Sequence, residues 1–309
     1  MMRGIGGSIV ISTMLLLCLS NSVINAESSE EVVRMDLEII DSIQHEPTSF
    51  TQGLEKRGGN LLESSGLYGF SRLSEIDIQN GEVIRQISFD DSIFAEGITV
   101  RNNSVILLTW REGIAFEIDL DDFAIIGNYS YQGEGWGICY DGEYLVMSNG
   151  SSNLTFRDPE SFEISHSIQV TFEGEEITNL NELECLGDTV YANVWMDDSI
   201  FAINSSSGIV EFFASASIVS EKHGNNPNEV LNGIAYDESA DGFWITGKNW
   251  SAMYLVTFSE SEANQNPNVT PITTSIFILA VGICLVWLIR PILPWTNDPE
   301  TPNFKDHHQ

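Results

Sequence analysis

One short device recurs five times along this chain: a polar residue, usually followed by glycine, then an apolar residue. Its copies are Gln52-Gly53-Leu54, Glu96-Gly97-Ile98, Glu134-Gly135-Trp136, Asn181-Glu182-Leu183 and Asn232-Gly233-Ile234, with intervals of 44, 38, 47 and 51 residues. A period of about 40–50 residues is that of a four-stranded propeller blade, so the copies predict a five-bladed β-propeller. The rest of the sequence agrees, because a helical period is nearly absent and short alternating or β-branched runs recur instead. These runs, such as "VILLTW", "AFEIDL", "TVYANVW" and "MYLVTF", lie between Gly, Asn, Asp and Ser clusters, which is an all-β pattern. Fourteen residues after each polar position stand Gly66, Trp110, Ser148, Trp195 and Thr246, each in a second strand, and turns such as "DPESF" and "NSSSG" lead on to outer strands. Residues 32–40 precede the first device and would supply the missing outer strand of the last blade, which removes an exposed sheet edge. A β-sandwich with coincidental spacing is the competing fold.

The ends of the chain differ from this middle. Residues 1–26 contain Arg3, an apolar and small-residue stretch over 9–19 and then Ile24-Asn25-Ala26, and read as a secretory signal cleaved after Ala26. Residues 27–258 are the expected propeller domain, long enough for a sizeable core. A polar linker over 259–270 leads to an uncharged apolar stretch, 271–289, long enough for one transmembrane helix; a short tail, 290–309, carries Arg290 and Lys305. The expected arrangement is an exported, single-pass membrane protein with the propeller outside the cell. N-x-S/T sequons at Asn102, Asn128, Asn149, Asn153, Asn204, Asn249 and Asn268 agree with export.

Thirteen basic against 45 acidic residues argue against nucleic acid or an anionic membrane face as a partner. Cys18 falls in the signal and Cys284 in the apolar stretch, which leaves Cys139 and Cys185 for one disulfide if the fold brings them together. His45, His166, His223, His307 and His308 lack zinc-ligand spacing. In a propeller the five devices would face one mouth, with glycine permitting close approach and bulges. Gln52, Glu96, Glu134, Asn181 and Asn232 then form a candidate polar ring, although each could simply satisfy backbone groups near the axis.

Ordered blocks carry a resemblance across nearly all of the expected domain: "HEPTSFTQGL" (45–54), "ESSGLYG" (63–69), "FAEGIT" (94–99), "LTW" (108–110), "GEGWGI" (133–138), "LNELE" (180–184), "YANVW" (191–195), "LNGIAYD" (231–237) and "TGKNW" (246–250). The chain resembles the glutaminyl-peptide cyclotransferases of the plant and bacterial type, five-bladed propellers unrelated to the zinc-dependent animal enzymes. The resemblance implies a reaction that converts an N-terminal glutamine of a peptide or protein to pyroglutamate with loss of ammonia, without metal or cofactor. It also implies a pocket of Phe50, Gln52, Phe94, Glu96, Trp110, Trp136, Asn181, Trp195 and Lys248.

Within that set Glu96 is the expected proton carrier, since desolvation among aromatic rings raises a carboxyl toward the working range. Lys248 is expected to hold the developing oxyanion. Gln52 and Asn181 would orient the substrate, and Phe50, Phe94, Trp110, Trp136 and Trp195 would wall the site. Glu134 and Asn232 are expected behind these, orienting neighbours or Lys248. The chain departs from the family's usual pattern at Cys139 and Tyr140, and at Asp198 and Ser199, none of them pocket positions. Two other functions compete. Glu96, Glu134, Asn181 and Asn232 could imitate the calcium ligands of a propeller lactonase or hydrolase, and an acidic, anchored propeller could be a binding module without catalysis.

Overall fold

The computed structural model describes residues 32–224, 226 and 228–261. The expected signal, the membrane-spanning stretch at 271–289 and the tail lie outside the described residues. Among the described residues, no helix is long and apolar enough to cross a membrane.

The described chain is all-β. β1 (Val33–Gln44) is followed by a four-stranded antiparallel meander of β2 (Thr51–Arg57), β3 (Asn60–Ser65), β4 (Arg72–Asp77) and β5 (Val83–Ser88). A second four-stranded sheet contains β6 (Ala95–Arg101), β7 (Ser104–Thr109), β8 (Ile114–Asp119) and β9 (Ile125–Ser130). The third contains β10 (Ile138–Tyr140), β11 (Leu145–Met147), β12 (Asn153–Arg157) and β13 (Ile164–Gln169). After a small hairpin of β14 (Thr171–Phe172) and β15 (Glu175–Glu176) come β16 (Leu180–Leu186), β17 (Thr189–Val194), β18 (Ser199–Asn204) and β19 (Val210–Ser215). A helical turn, α1 (Ser217–Ser220), leads to β20 (Leu231–Asp237), β21 (Gly242–Gly247) and β22 (Ala252–Glu260).

The last two groups form one eight-stranded sheet, ordered β16-β17-β18-β19-β1-β22-β21-β20. β1 runs antiparallel to β22 and so completes the final group, as the sequence of residues 32–40 suggests. Its first residues also pair in parallel with β19, from Val33 with Phe212 to Met35 with Ala214. β22 continues to Glu260, past the domain boundary expected at 258. The first strands meet in a closed circuit, β2 against β6, β6 against β10, β10 against β16, β16 against β20 and β20 against β2.

Local chemistry accounts for the repeated meanders. Gly58 and Gly59 join β2 to β3, with Gly58 at φ +56°, as a two-residue hairpin turn demands. Between third and fourth strands, Asp77, Asp119, Asp158 and Asn204 each accept a backbone N–H two residues on, from Gln79, Asp121, Glu160 and Ser206. Such side-chain caps favour a turn over continued strand. The second strands are apolar on both faces because they are covered on both sides: Ile106 and Leu108 pack towards the third sheet's Ile138 and Leu145, while Val105 and Leu107 pack with Leu62 and Leu73 of the first. Each fully buried leucine or isoleucine contributes roughly 1.5–3 kcal/mol. Cys139 of β10 and Cys185 of β16 form a disulfide between two first strands, which the sequence alone left open.

Candidate active site

The circuit of first strands is tight. A Cβ added at Gly53 would lie 2.5 Å from Ile98 N, and one at Gly97 would lie 2.7 Å from Gly137 Cα, so only glycine fits between neighbouring sheets. At the equivalent place in the fourth unit stands Glu182. Its carboxylate accepts Leu54 N–H at 3.1 Å and Ile234 N–H at 2.8 Å, linking three units through one buried side chain.

These contacts correct the register of the third device. Gly137, not Gly135, meets Asn181 and Glu182 at the circuit, and Gly97 N–H donates to Trp136 O at 2.7 Å. The in-register triplet is therefore Trp136-Gly137-Ile138, and the intervals become 44, 40, 45 and 51 residues. Trp136, rather than Glu134, takes the place held elsewhere by Gln52, Glu96, Asn181 and Asn232. The β2, β6, β16 and β20 registers all shift at this residue or beside it. A bulge there re-aims the side chain towards the mouth.

In the last group, Lys248 and not the counted Thr246 matches Trp110 and Trp195. Trp110 N–H donates to Phe94 O, Trp195 N–H to Asn179 O and Lys248 N–H to Val230 O, so Lys248 occupies the position of the two tryptophans. Counting 14 residues from Asn232 reaches Thr246 instead, because the β20–β21 turn is longer than the two-residue turns of the β6–β7 and β16–β17 hairpins that carry the two tryptophans.

All nine pocket residues named from the sequence, together with Glu134, line one cavity of about 460 Å³. Asn232 does not line it. It lies fully buried behind Gln52, donating from Nδ2 to Thr51 O at 2.9 Å and to Gln52 Oε1 at 3.4 Å. Leu67, Arg111, Asn228 and Val230 also line the cavity and were not picked out from sequence. Leu67 sits inside the quoted "ESSGLYG" block and Arg111 directly follows "LTW", whereas Asn228 and Val230 carry no pattern.

The aromatic walls are interlocked. Phe94 packs edge-on to Phe50 at 6.4 Å and tilted against Trp110 at 5.3 Å, and Trp136 meets Trp195 edge-on at 6.1 Å. Glu134 ties two of these walls together, since its Oε2 accepts both Trp110 Nε1–H at 2.9 Å and Trp136 Nε1–H at 3.0 Å. Its Oε1 accepts Arg111 Nε–H at 2.9 Å, and the Arg111 guanidinium lies 3.6 Å above the Trp110 ring. Burial alone would raise Glu134, but the bonds from Trp136, Arg111 and Trp110 outweigh it and hold the carboxyl below its ordinary range. Glu134 thus lines the cavity itself rather than standing behind it, bonded to two of the wall tryptophans, and its cation is Arg111, not Lys248.

Glu96 and Lys248 are the two buried charges that face the cavity. Burial pushes Glu96 well above the usual carboxyl range; Lys248 pulls it down, while Glu134 and Glu112 push it further up. Burial lowers Lys248, and Glu96 partly restores it. Lys248 Nζ also lies 4.9 Å above the Phe50 ring, a cation–π contact. Among the described residues, no hydrogen bond engages the Glu96 carboxyl and no carboxylate forms an ion pair with Lys248.

This donor set suits proton transfer better than cation binding. The four side chains that could imitate calcium ligands do not converge: Glu134 is committed to two indoles and Arg111, and Asn232 lies behind the wall. Among the described residues, no group of three or more His, Cys, Asp or Glu could hold a metal ion.

The model of the family described as glutamine cyclotransferase matches residues 10–258. A glutaminyl-peptide cyclotransferase of Arabidopsis thaliana is 32% identical over 233 residues, which is 74% of this chain and 73% of that protein. Among solved structures, the glutaminyl cyclase of Myxococcus xanthus is similar with a TM-score of 0.71 and 31% identity, over 75% of this chain and all of that one.

Proposed function

This chain belongs to the glutamine cyclotransferase family, and from that premise we infer how its pocket works. Its activity is glutaminyl-peptide cyclotransferase: an N-terminal glutamine becomes pyroglutamate and ammonia leaves. We read the four-stranded groups and their circuit of first strands as a five-bladed propeller with the pocket at one mouth.

The α-amine attacks the δ-carbon of its own side-chain amide, so no covalent nucleophile is needed. Holding amine and amide within reach in a ring-closing rotamer can supply several kcal/mol of the barrier. The aromatic walls restrict the rotamers, and the amides of Gln52 and Asn181 orient the substrate's polar groups. As the new C–N bond forms, the carbonyl oxygen becomes an oxyanion and Lys248, buried beside the Phe50 ring, stabilises it. The ionised Glu96 carboxyl takes the excess proton from the attacking nitrogen and passes it to the departing nitrogen. The old C–N bond breaks, the carbonyl re-forms, ammonia leaves and Glu96 returns to its starting state.

The observation that carries this reading is that Glu96, raised by burial and free of hydrogen bonds among the described residues, lines the same cavity as Lys248. Purified protein incubated with a peptide beginning in glutamine is expected to release one ammonia per peptide and block its amino terminus. A folded protein that leaves the peptide unchanged would contradict the activity.

For location, the reading is an exported protein anchored by residues 271–289. The apolar signal-like start, the sequons and the Cys139–Cys185 disulfide support it.

A further inference from the structure

Three pocket residues lie on segments gathered by one buried carboxylate outside the pocket. Glu63 Oε1 accepts Thr51 Oγ1–H at 2.6 Å and lies 2.8 Å from His45 Nε2, while Oε2 accepts Ser49 Oγ–H at 3.1 Å. All four residues are buried. Strand alternation then matters, because side chains on one face leave their neighbours on the other. Ser49 and Thr51 turn towards Glu63, and Phe50 and Gln52 line the cavity.

The same cluster reaches the segment around Lys248. His45 Nδ1 lies 3.3 Å from Thr246 Oγ1, two residues before Lys248. Asn249 N–H, one residue after it, donates to Ser49 O at 2.7 Å, and His45 N–H donates to Ser251 O at 3.0 Å. Arg72 Nη2–H closes the far side on Ser49 Oγ at 2.7 Å. The seam between the first and last groups of strands is thus held by groups that never touch the cavity.

We propose that Glu63, acting through His45, Ser49 and Thr51, is a positioning residue that sets Phe50, Gln52 and Lys248 against Glu96. This rests on the cyclisation reading above. A buried carboxylate with three side-chain partners is stiff, and a displacement of about 1 Å in reacting groups can reduce a rate on the order of 100-fold. Loosening the seam moves Lys248 relative to Glu96, whose other charged neighbours, Glu134 and Glu112, stay where they are.

The test uses Thr246→Val, which removes the link to His45, and Ser49→Ala, which removes one to Glu63, beside Glu63→Gln. Each is compared with wild type for thermal midpoint, KM, kcat and the pH profile of kcat on a glutaminyl peptide. The expected result for folded variants is a fall in kcat on the order of tenfold or more, and an acid limb displaced to higher pH as Lys248 ceases to hold Glu96 down. In a Lys248→Met background, Thr246→Val should change the limb no further, because the displaced group is already gone. Folded Thr246→Val and Ser49→Ala proteins with wild-type kcat, or a loss that leaves the limb fixed, overturn the proposal even if Glu63→Gln does not fold. A wild type that releases no ammonia overturns the cyclisation reading and this proposal together.

Discussion

Glu96 and Lys248 set one another's charge without pairing. Lys248 is the cation that draws Glu96 down against burial, and Glu96 is the carboxylate that draws Lys248 up, yet the two form no ion pair. A closed pair would commit the proton carrier and the oxyanion partner to each other. The open arrangement leaves both free for a substrate that presents an amine and a developing oxyanion.

Replacing Lys248 by methionine removes the charge and keeps much of the aliphatic stem. With an oxyanion partner lost, kcat should fall on the order of 100- to 1000-fold. Burial lowers Lys248 in the native protein, so wild-type kcat should decline at a pH below the ordinary lysine range as the ammonium loses its proton. That alkaline limb should be absent from Lys248→Met, and steady-state profiles of both proteins check it.

Glu134 should matter less, and differently. Its carboxylate holds the Trp110 and Trp136 indoles and the Arg111 side chain, so Glu134→Gln loosens two pocket walls, and by removing one negative charge it also lets Glu96 move back towards its ordinary range. Hydrogen bonds to a charged group contribute about 1.5–3 kcal/mol each. The expected outcome is a rise in KM of roughly tenfold, with kcat falling far less than in Glu96→Gln.

Much of this site was legible because it lies in blocks with fixed internal spacing; in "FAEGIT" the repeated device marks Glu96, while Phe94 is what the resemblance implies. The register of "GEGWGI" was not legible. Gly135 and Gly137 both follow a large or polar residue, and only the contact of Gly137 with Asn181 and Glu182 in the neighbouring unit decides between them. Lys248 was found by resemblance, whereas counting 14 residues pointed to Thr246, since the number of residues in a turn is independent of the strand period. The Glu63 cluster escaped because its members, His45, Ser49, Thr51 and Thr246, are ordinary strand and loop residues until the chain closes on itself. The disulfide had the same obstacle, as spacing cannot show that two first strands lie side by side.

Stability should also carry a pH signature from carboxyls away from the pocket. Glu55 on β2 is raised by burial to about 8 from an ordinary 4.5, and Glu184 on β16 is raised by burial and by Glu55. A folded state that keeps these protons after the unfolded chain has lost them is most favoured below the ordinary value, and this contribution disappears as pH rises towards about 8. Glu63 and Asp237, held low in the native state, act in the opposite sense and only at more acidic pH. The thermal midpoint should therefore fall between about pH 5 and about pH 9, and Glu55→Gln should flatten that fall. A midpoint that rises across this window, or an unchanged slope in the variant, would refute the assignment.

The most direct measurement is the turnover of Glu96→Gln on a glutaminyl peptide beside wild type. Glutamine preserves the shape of the side chain and removes its capacity to accept the amine's proton. A folded variant is expected to lose kcat by about 100- to 10,000-fold with KM little changed, and to lack the acid limb that burial places above the ordinary carboxyl range. Wild-type turnover by folded Glu96→Gln would contradict the role of Glu96 as the proton carrier.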